Sequence, residues 1–171
     1  ICCELYNAAL AERRDAYRIT GKSIRYAEQS AQLPGVKTER EDVARVNAQV
    51  LQNVLKRVDR AFDGFFRRVN EGRKPGYPRF HSRFCYDSFT FPQAGSAFRL
   101  EGKTLYLSKI GKVKVHLSRP IEGRMKTCTI KREADGWYAI FAVEEPSVEL
   151  SPAPSDSVGI DLGIENFATL S

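Results

Sequence analysis

The sequence has little of what a disulfide-framed, zinc-bound or membrane-embedded protein needs. Its 171 residues hold four cysteines, with Cys2 and Cys3 adjacent and Cys85 and Cys128 standing alone. No Cys-x-x-Cys pair exists to start a zinc site, and nothing resembles a secreted disulfide framework, so the thiols read as buried groups of a reducing cytosol. No apolar run approaches the roughly 20 residues of a membrane helix, which excludes a helical membrane protein. Met125 is the only methionine and the chain opens in the middle of an amphipathic pattern, while Ser171 falls where a strand has barely finished. The expectation is a piece truncated at both ends, in which signal and transit peptides cannot be judged. Basic residues are absent from one long stretch: Glu133 to Ser171 contains neither Lys nor Arg.

The cations sit elsewhere. Net charge is +6 and the isoelectric point about 9.2, and from Arg67 to Arg132 the chain is crowded with Lys and Arg and poor in acids. Such a split predicts a basic surface built by the middle of the chain, facing an anionic partner, and an acidic segment behind it that could hold metal or cover another face.

Hydrophobic periodicity divides the chain into an α part and a β part. Residues Ile1 to Tyr17 read as a helix with Leu5, Ala8, Ala9, Ala16 and Tyr17 on one side. Gly21 stops it, and Ser23 could cap a short second helix through Ala31 before Pro34-Gly35. From about Glu39 to Val69 one long helix is expected, because Val43, Val46, Val50, Val54, Val58, Phe62, Phe65 and Val69 recur at steps of three and four. Its opposite stripe carries Arg45, Gln49, Gln52, Lys56, Arg60 and Arg67. That stripe reads either as the solvated side of the helix or as a face for a nucleic-acid groove, in which Gln49 and Gln52 pair with bases while Lys56 meets phosphate.

Gly72 ends the helix and opens Arg73-Lys74-Pro75-Gly76-Tyr77-Pro78-Arg79-Phe80-His81-Ser82-Arg83-Phe84. Two prolines keep this stretch extended, and cations alternate with aromatics. Lys74, Arg79 and Arg83, with Arg67 and Arg68 just before, are candidates for phosphate. Tyr77, Phe80 and Phe84 would stack on bases or anchor the segment to the core. A rigid linker plugged by aromatics is the plainer reading, but it has no need of so many cations.

From Asp87 to Glu145 the period becomes two, with glycines at the turns and short strands at Phe89–Phe91, Phe98–Leu100, Thr104–Leu107, Val113–Leu117, Thr127–Lys131 and Trp137–Val143. The spacing predicts a small closed or partly closed antiparallel barrel of the oligonucleotide-binding kind, with Lys112, Lys114, Arg124, Lys126, Lys131 and Arg132 outside. His116 reads as a surface or packing residue. Ser151 to Asp156 is a Pro/Ser linker. Beyond it Ser157 to Ser171 reads as a hairpin reversing at Gly163, with Asp161 at a strand end, where a carboxylate can hold a divalent metal against phosphate. Taken alone, that motif fits an RNase H-like nuclease strand, the phosphate hairpin of an actin-like ATPase, or a structural hairpin.

The order of the parts resembles a known family. Tyr6-Asn7-Ala8-Ala9-Leu10, Gln49 to Arg57, Phe65-Phe66-Arg67-Arg68, the Pro75-Gly76-Tyr77-Pro78-Arg79-Phe80 run, Gly136-Trp137-Tyr138 and Val158-Gly159-Ile160-Asp161-Leu162-Gly163-Ile164 together look like TnpB. This is the OrfB-type protein of bacterial and archaeal insertion sequences, related to type V CRISPR nucleases. The resemblance implies an α+β fold: a helical recognition lobe (1–72) inserted in a basic wedge-like or OB-like β-barrel (73–150), a linker (151–156), and the first hairpin of a RuvC-like, RNase H-like domain (157–171). It implies an RNA-guided DNA endonuclease involved in transposition, cytoplasmic and nucleoid-associated, with guide RNA and target DNA as partners and Mg²⁺ in the full-length parent. Asp161 would be the first metal carboxylate; Glu165, in the same hairpin, cannot be the second. Because the other carboxylates and the family's Cys-rich element are not present, this stretch alone is expected to be catalytically inactive and to bind no Mg²⁺ tightly. The alternative is a DNA-binding transposon accessory protein that uses no guide RNA.

Overall fold

A computed structural model describes residues 1–145 and the strand backbone at 160–161 and 169–170. Helix α1 runs Cys2–Thr20 and ends on Gly21, whose left-handed backbone (φ 68°) lets its N–H reach Tyr17 O. Only glycine adopts that turn without strain. The buried stripe of α1 is Tyr6, Ala9, Leu10 and Arg13, rotated from the face that periodicity suggested, and Tyr17 is 67% exposed. Arg13 is tolerated inside because its Nε donates to Gln29 Oε1 and its Nη1 to Asp59 Oδ1, both at 2.8 Å. A buried guanidinium without such partners would be prohibitively costly.

Two helix boundaries differ from expectation. Helix α2 runs Tyr26–Glu39, straight through Pro34 and Gly35. It starts not at Ser23 but at Arg25, whose backbone N–H is accepted by Glu28 Oε2 at 3.0 Å. Pro34 forfeits one backbone hydrogen bond, but Leu33 is buried and Val36 packs against the same helical core, and that burial outweighs the loss. The long helix is in fact two. Helix α3 (Glu41–Ala44) stops, and α4 (Ala48–Asn70) restarts at Asn47, whose side chain accepts from Gln49 N at 2.9 Å. Val43, Leu51, Val54, Leu55 and Val58 still enter one cluster with Tyr6, Ala9, Leu10 and Leu33, so the apolar stripe continues across the break.

The β part is six antiparallel strands in two three-stranded sheets. One has the order β1 (Ser88–Phe91), β5 (Arg124–Arg132), β6 (Trp137–Glu144); the other is the meander β2 (Phe98–Glu101), β3 (Thr104–Leu107), β4 (Gly111–Lys114). The expected barrel does not close among the described residues: no ladder joins the two sheets, β4 ends at Lys114 rather than Leu117, and all four β4 residues are exposed. Instead the sheets share a core face to face, with Phe91 and Cys128 from one and Phe98, Leu105 and Leu107 from the other. Val50 of α4 enters the same cluster, and Arg57 of α4 donates to Ser88 O at 2.9 Å and Thr90 Oγ1 at 3.1 Å. The helices are thereby bonded to strand β1. All four described helices precede these strands.

Strands β7 (Ile160–Asp161) and β8 (Thr169–Leu170) pair antiparallel, Asp161 opposite Thr169. The linker at 151–156 and the expected reversal at Gly163 lie outside the described residues. Of the thiols, only Cys128 is fully buried; Cys85 is exposed, contrary to the reading of all four as buried.

Candidate nucleic-acid interface

The connector between α4 and β1 is pinned at two points. Tyr77 sets its ring edge-on against Phe62 and Phe65 of α4, at 5.7 and 5.5 Å between centroids. Four residues on, Asn7 of α1 clamps His81 from both sides: its Nδ2 donates to His81 O at 2.8 Å and its Oδ1 accepts from His81 N at 2.9 Å. The His81 ring then lies 4.8 Å from Tyr6. The Tyr-Asn pair of α1 therefore has a definite task, which sequence reasoning left as packing. An extended segment cannot bond to itself, so its backbone needs partners from outside.

Between and around these pins the cations point outward. Lys74, Arg79 and Arg83 are exposed. Phe80 is half exposed beneath the Arg14 guanidinium at 5.1 Å, and Arg83 lies 5.1 Å from the centroid of Phe84, a ring 72% exposed. Arg67 is exposed, whereas Arg68 is half-buried and donates to Gly76 O at 3.2 Å, bracing the start of the connector.

The stripe on α4 is less open than its periodicity implied. Gln49 Nε2 donates to Gln93 Oε1 at 2.7 Å, and both Gln49 and Gln52 are half-buried. The Gln49 Oε1 atom is buried without a partner. Lys56 is exposed, its ammonium 5.5 Å from the centre of the Tyr26 ring.

On the meander, Arg99, Tyr106 and Lys112 lie opposite one another across β2, β3 and β4. The two cations flank the Tyr106 ring at 4.2 and 5.5 Å, and Lys114 follows on the same face. Lys126 and Lys131 on β5 are committed differently, paired with Glu144 at 2.6 Å and Glu133 at 2.5 Å. The bond to Glu133 holds the Lys131 ammonium above its usual pKa, and the bond to Lys126 holds the Glu144 carboxyl below its own. His116 is exposed, as expected.

These pairings reveal how the charge is sorted. Of eleven Lys and Arg in residues 1–66, six (Arg13, Arg14, Arg18, Lys22, Arg40 and Arg45) form ion pairs with carboxylates. Of sixteen from Arg67 to Arg132, where the chain has four acids, only Arg73, Arg99, Lys126 and Lys131 do so among the described residues. Among the described residues the surplus is therefore a field without carboxylate partners along the connector and sheets, of the kind that attracts polyanions. No three His, Cys, Asp or Glu side chains gather in a metal-holding cluster among the described residues. Asp161 is placed by its backbone at the end of β7, and its side chain lies outside what is described.

A helical bundle bonded to two small sheets, with an open cationic exterior, is the class of molecule this geometry defines. No protein-family model matches the chain. Two curated proteins do. It is 32% identical over 173 aligned positions, 99% of its length, to "Putative RNA-guided DNA endonuclease InsQ" of Escherichia coli (strain K12). It is 30% identical over 98% of its length to "Putative RNA-guided DNA endonuclease" of Streptomyces pristinaespiralis. The chain is a relative of the TnpB-type proteins along essentially its whole length, as its motif order suggested. It spans about two fifths of each of those relatives, 41% in both cases.

Proposed function

We propose that this chain is the nucleic-acid-binding part of a transposon-encoded RNA-guided DNA endonuclease, with guide RNA and target DNA as its partners. The observation that carries the reading is the run of cations from Arg67 to Arg132, twelve of sixteen of which form no ion pair among the described residues. Lys74, Arg79, Arg83, Lys112 and Lys114 would neutralise phosphates; Phe80 and the exposed Phe84 offer rings on which bases can stack. The half-buried Gln49 and Gln52 would act in the groove only where the DNA reaches the N-terminal turns of α4, beside Lys56. Arg68 and Tyr77 act by holding the connector in place. Lys126 and Lys131 would have to give up their carboxylates to meet phosphate.

The described residues bind; they supply no set of carboxylates for hydrolysis. In the longer protein Mg²⁺ would polarise the scissile phosphate and activate water, with Asp161 as one of its ligands.

The reading is tested by measuring affinity for a structured RNA hairpin and for duplex DNA between 50 and 200 mM salt. The hairpin should be bound, with affinity falling steeply as salt rises. Absent or salt-insensitive binding would overturn the proposal, and a preference for duplex DNA over the hairpin would favour an accessory protein without guide RNA.

A further inference from the structure

The chain's single tryptophan has no task in the scheme above. Trp137 opens β6 directly opposite Arg132 of β5 and is 65% exposed. Indoles are on average well covered by protein, because the ring is the largest apolar body a side chain offers. It borders a cleft of about 220 Å³ whose wall also includes Arg83, Arg132, Tyr86, Asp87 and Phe89. At ~30 Å³ for each water in the liquid this is room for about seven waters, less than the ~300–1,000 Å³ of sites that enclose a drug-sized ligand. One flat ring can enter it; a folded ligand cannot.

The lining has the chemistry of a nucleotide. Neither Arg83 nor Arg132 is paired with a carboxylate among the described residues. Arg132 Nη2 makes one long hydrogen bond, 3.4 Å to Phe84 O, which ties the arginine to the connector at the cleft edge. Tyr86 lies in the wall between this cleft and a second one shared with Tyr6 and His81, and its buried hydroxyl, without a hydrogen-bond partner among the described residues, sits near the Arg57 guanidinium. The sheet positions the site firmly: Arg132 N donates to Asp87 O at 2.8 Å, joining the strand that carries Trp137's partner to the last turn of the connector.

We propose that this cleft seats one unpaired nucleotide of the bound nucleic acid, its base stacked on Trp137 and its phosphate held by Arg83 and Arg132, an inference that rests on the nucleic-acid reading above. A base inside a duplex is already stacked on both faces and offers no free ring. The site therefore selects single-stranded segments, whether their sugar is ribose or deoxyribose.

Because Trp137 is the only indole, its fluorescence reports the site directly. The 171-residue chain is titrated with a ten-nucleotide single-stranded oligoadenylate, as RNA and as DNA, and with a blunt duplex of equal length. The single strands should quench the indole, and the duplex should bind without quenching. Trp137→Ala should weaken single-strand binding about 5- to 150-fold, the span that alanine at a base-stacking aromatic covers, and leave duplex affinity unchanged. Trp137→Phe should restore most of the loss. Equal losses for strand and duplex, or a lowered melting temperature with unchanged affinity, would overturn the site while leaving the nucleic-acid reading standing. No binding of any oligonucleotide would overturn both.

Discussion

Replacing Arg67, Lys74 and Arg79 together by alanine removes three exposed cations that have no carboxylate partner among the described residues and lie outside the Trp137 cleft. If each meets one phosphate, the slope of log affinity against log salt becomes shallower by about 0.7–0.9 per cation, or roughly 2–2.7 for the set. Across a fourfold rise in salt, from 50 to 200 mM, the variant's affinity should therefore fall about 16- to 40-fold less than that of the parent. A matching double variant, Lys126→Ala with Lys131→Ala, removes cations already held by Glu144 and Glu133. Each of those must first leave a carboxylate, so the slope should change by well under 1. Fluorescence anisotropy with a labelled RNA hairpin over five salt concentrations reads both slopes. Urea midpoints serve as the control, since exposed alanine substitutions usually shift stability by no more than about 0.5 kcal/mol. Equal slope changes in the two variants, or none in the triple, would show that ion pairing in the folded chain does not decide which cations meet phosphate.

Four further outcomes are expected. Asn7→Ala breaks both hydrogen bonds to the His81 backbone and should cost about 1–3 kcal/mol in urea unfolding; it should also speed amide exchange at His81 ahead of the core and weaken RNA binding although no charge is lost. Asn47→Ala removes the cap of α4 and should lower stability by about 0.5–2 kcal/mol, read as a lowered urea midpoint followed by circular dichroism at helical wavelengths. Burial pushes the Cys128 thiol up from 9.0 to about 12, so the unfolded chain ionises first; stability is whole below pH 9 and should fall as pH rises from 9 towards 12, with Cys128→Ala flattening that decline. Under the proposed endonuclease reading, Asp161→Asn in a protein of the relatives' full length should abolish cleavage with binding nearly intact; loss of both would assign Asp161 a structural part.

Secondary structure was legible where one face of an element decides its environment. The periodicity of α4 and the alternation of β2, β3 and β6 each follow from a side turned to a core and a side left outside, whereas β4 is exposed along its whole length. The break at Asn47 was hidden because Val43 of α3 and Val54 and Val58 of α4 all enter the same helical core, so the stripe reads as one helix. The cap was nonetheless written there, an Asn ahead of the Ala48 turn. Pro34-Gly35 misled in the opposite sense, since local breaking signals lose to the burial of Leu33 and the packing of Val36. Strand pairing was not legible at all. Alternation says which residues face inward and not which strand lies beside which, and two sheets sharing a core present the same pattern as a barrel.

The same limit governs the candidate site. A helical wheel places Gln49 on an open stripe, but Gln93, forty-four residues along the chain, closes over it. It cannot show that Lys126 and Lys131 are engaged while Lys112 and Lys114 are not, because Glu144 and Glu133 arrive from the strand pairing and the turn rather than from the neighbouring sequence. What composition did carry was the regional excess of positive charge, and that excess survives folding for a simple reason. With four acids among Arg67 to Arg132, local pairing cannot neutralise sixteen cations, and six of the nine acids in residues 1–66 are already engaged with cations of that same stretch, among them Arg13, Arg14, Arg40 and Arg45. Among the described residues, Glu144 and Glu133 reach back only to Lys126 and Lys131, and twelve of the sixteen cations form no ion pair. Burying them unpaired costs several kcal/mol each, so the fold places the charge on its surface, and the connector's two anchors decide where along that surface it is presented.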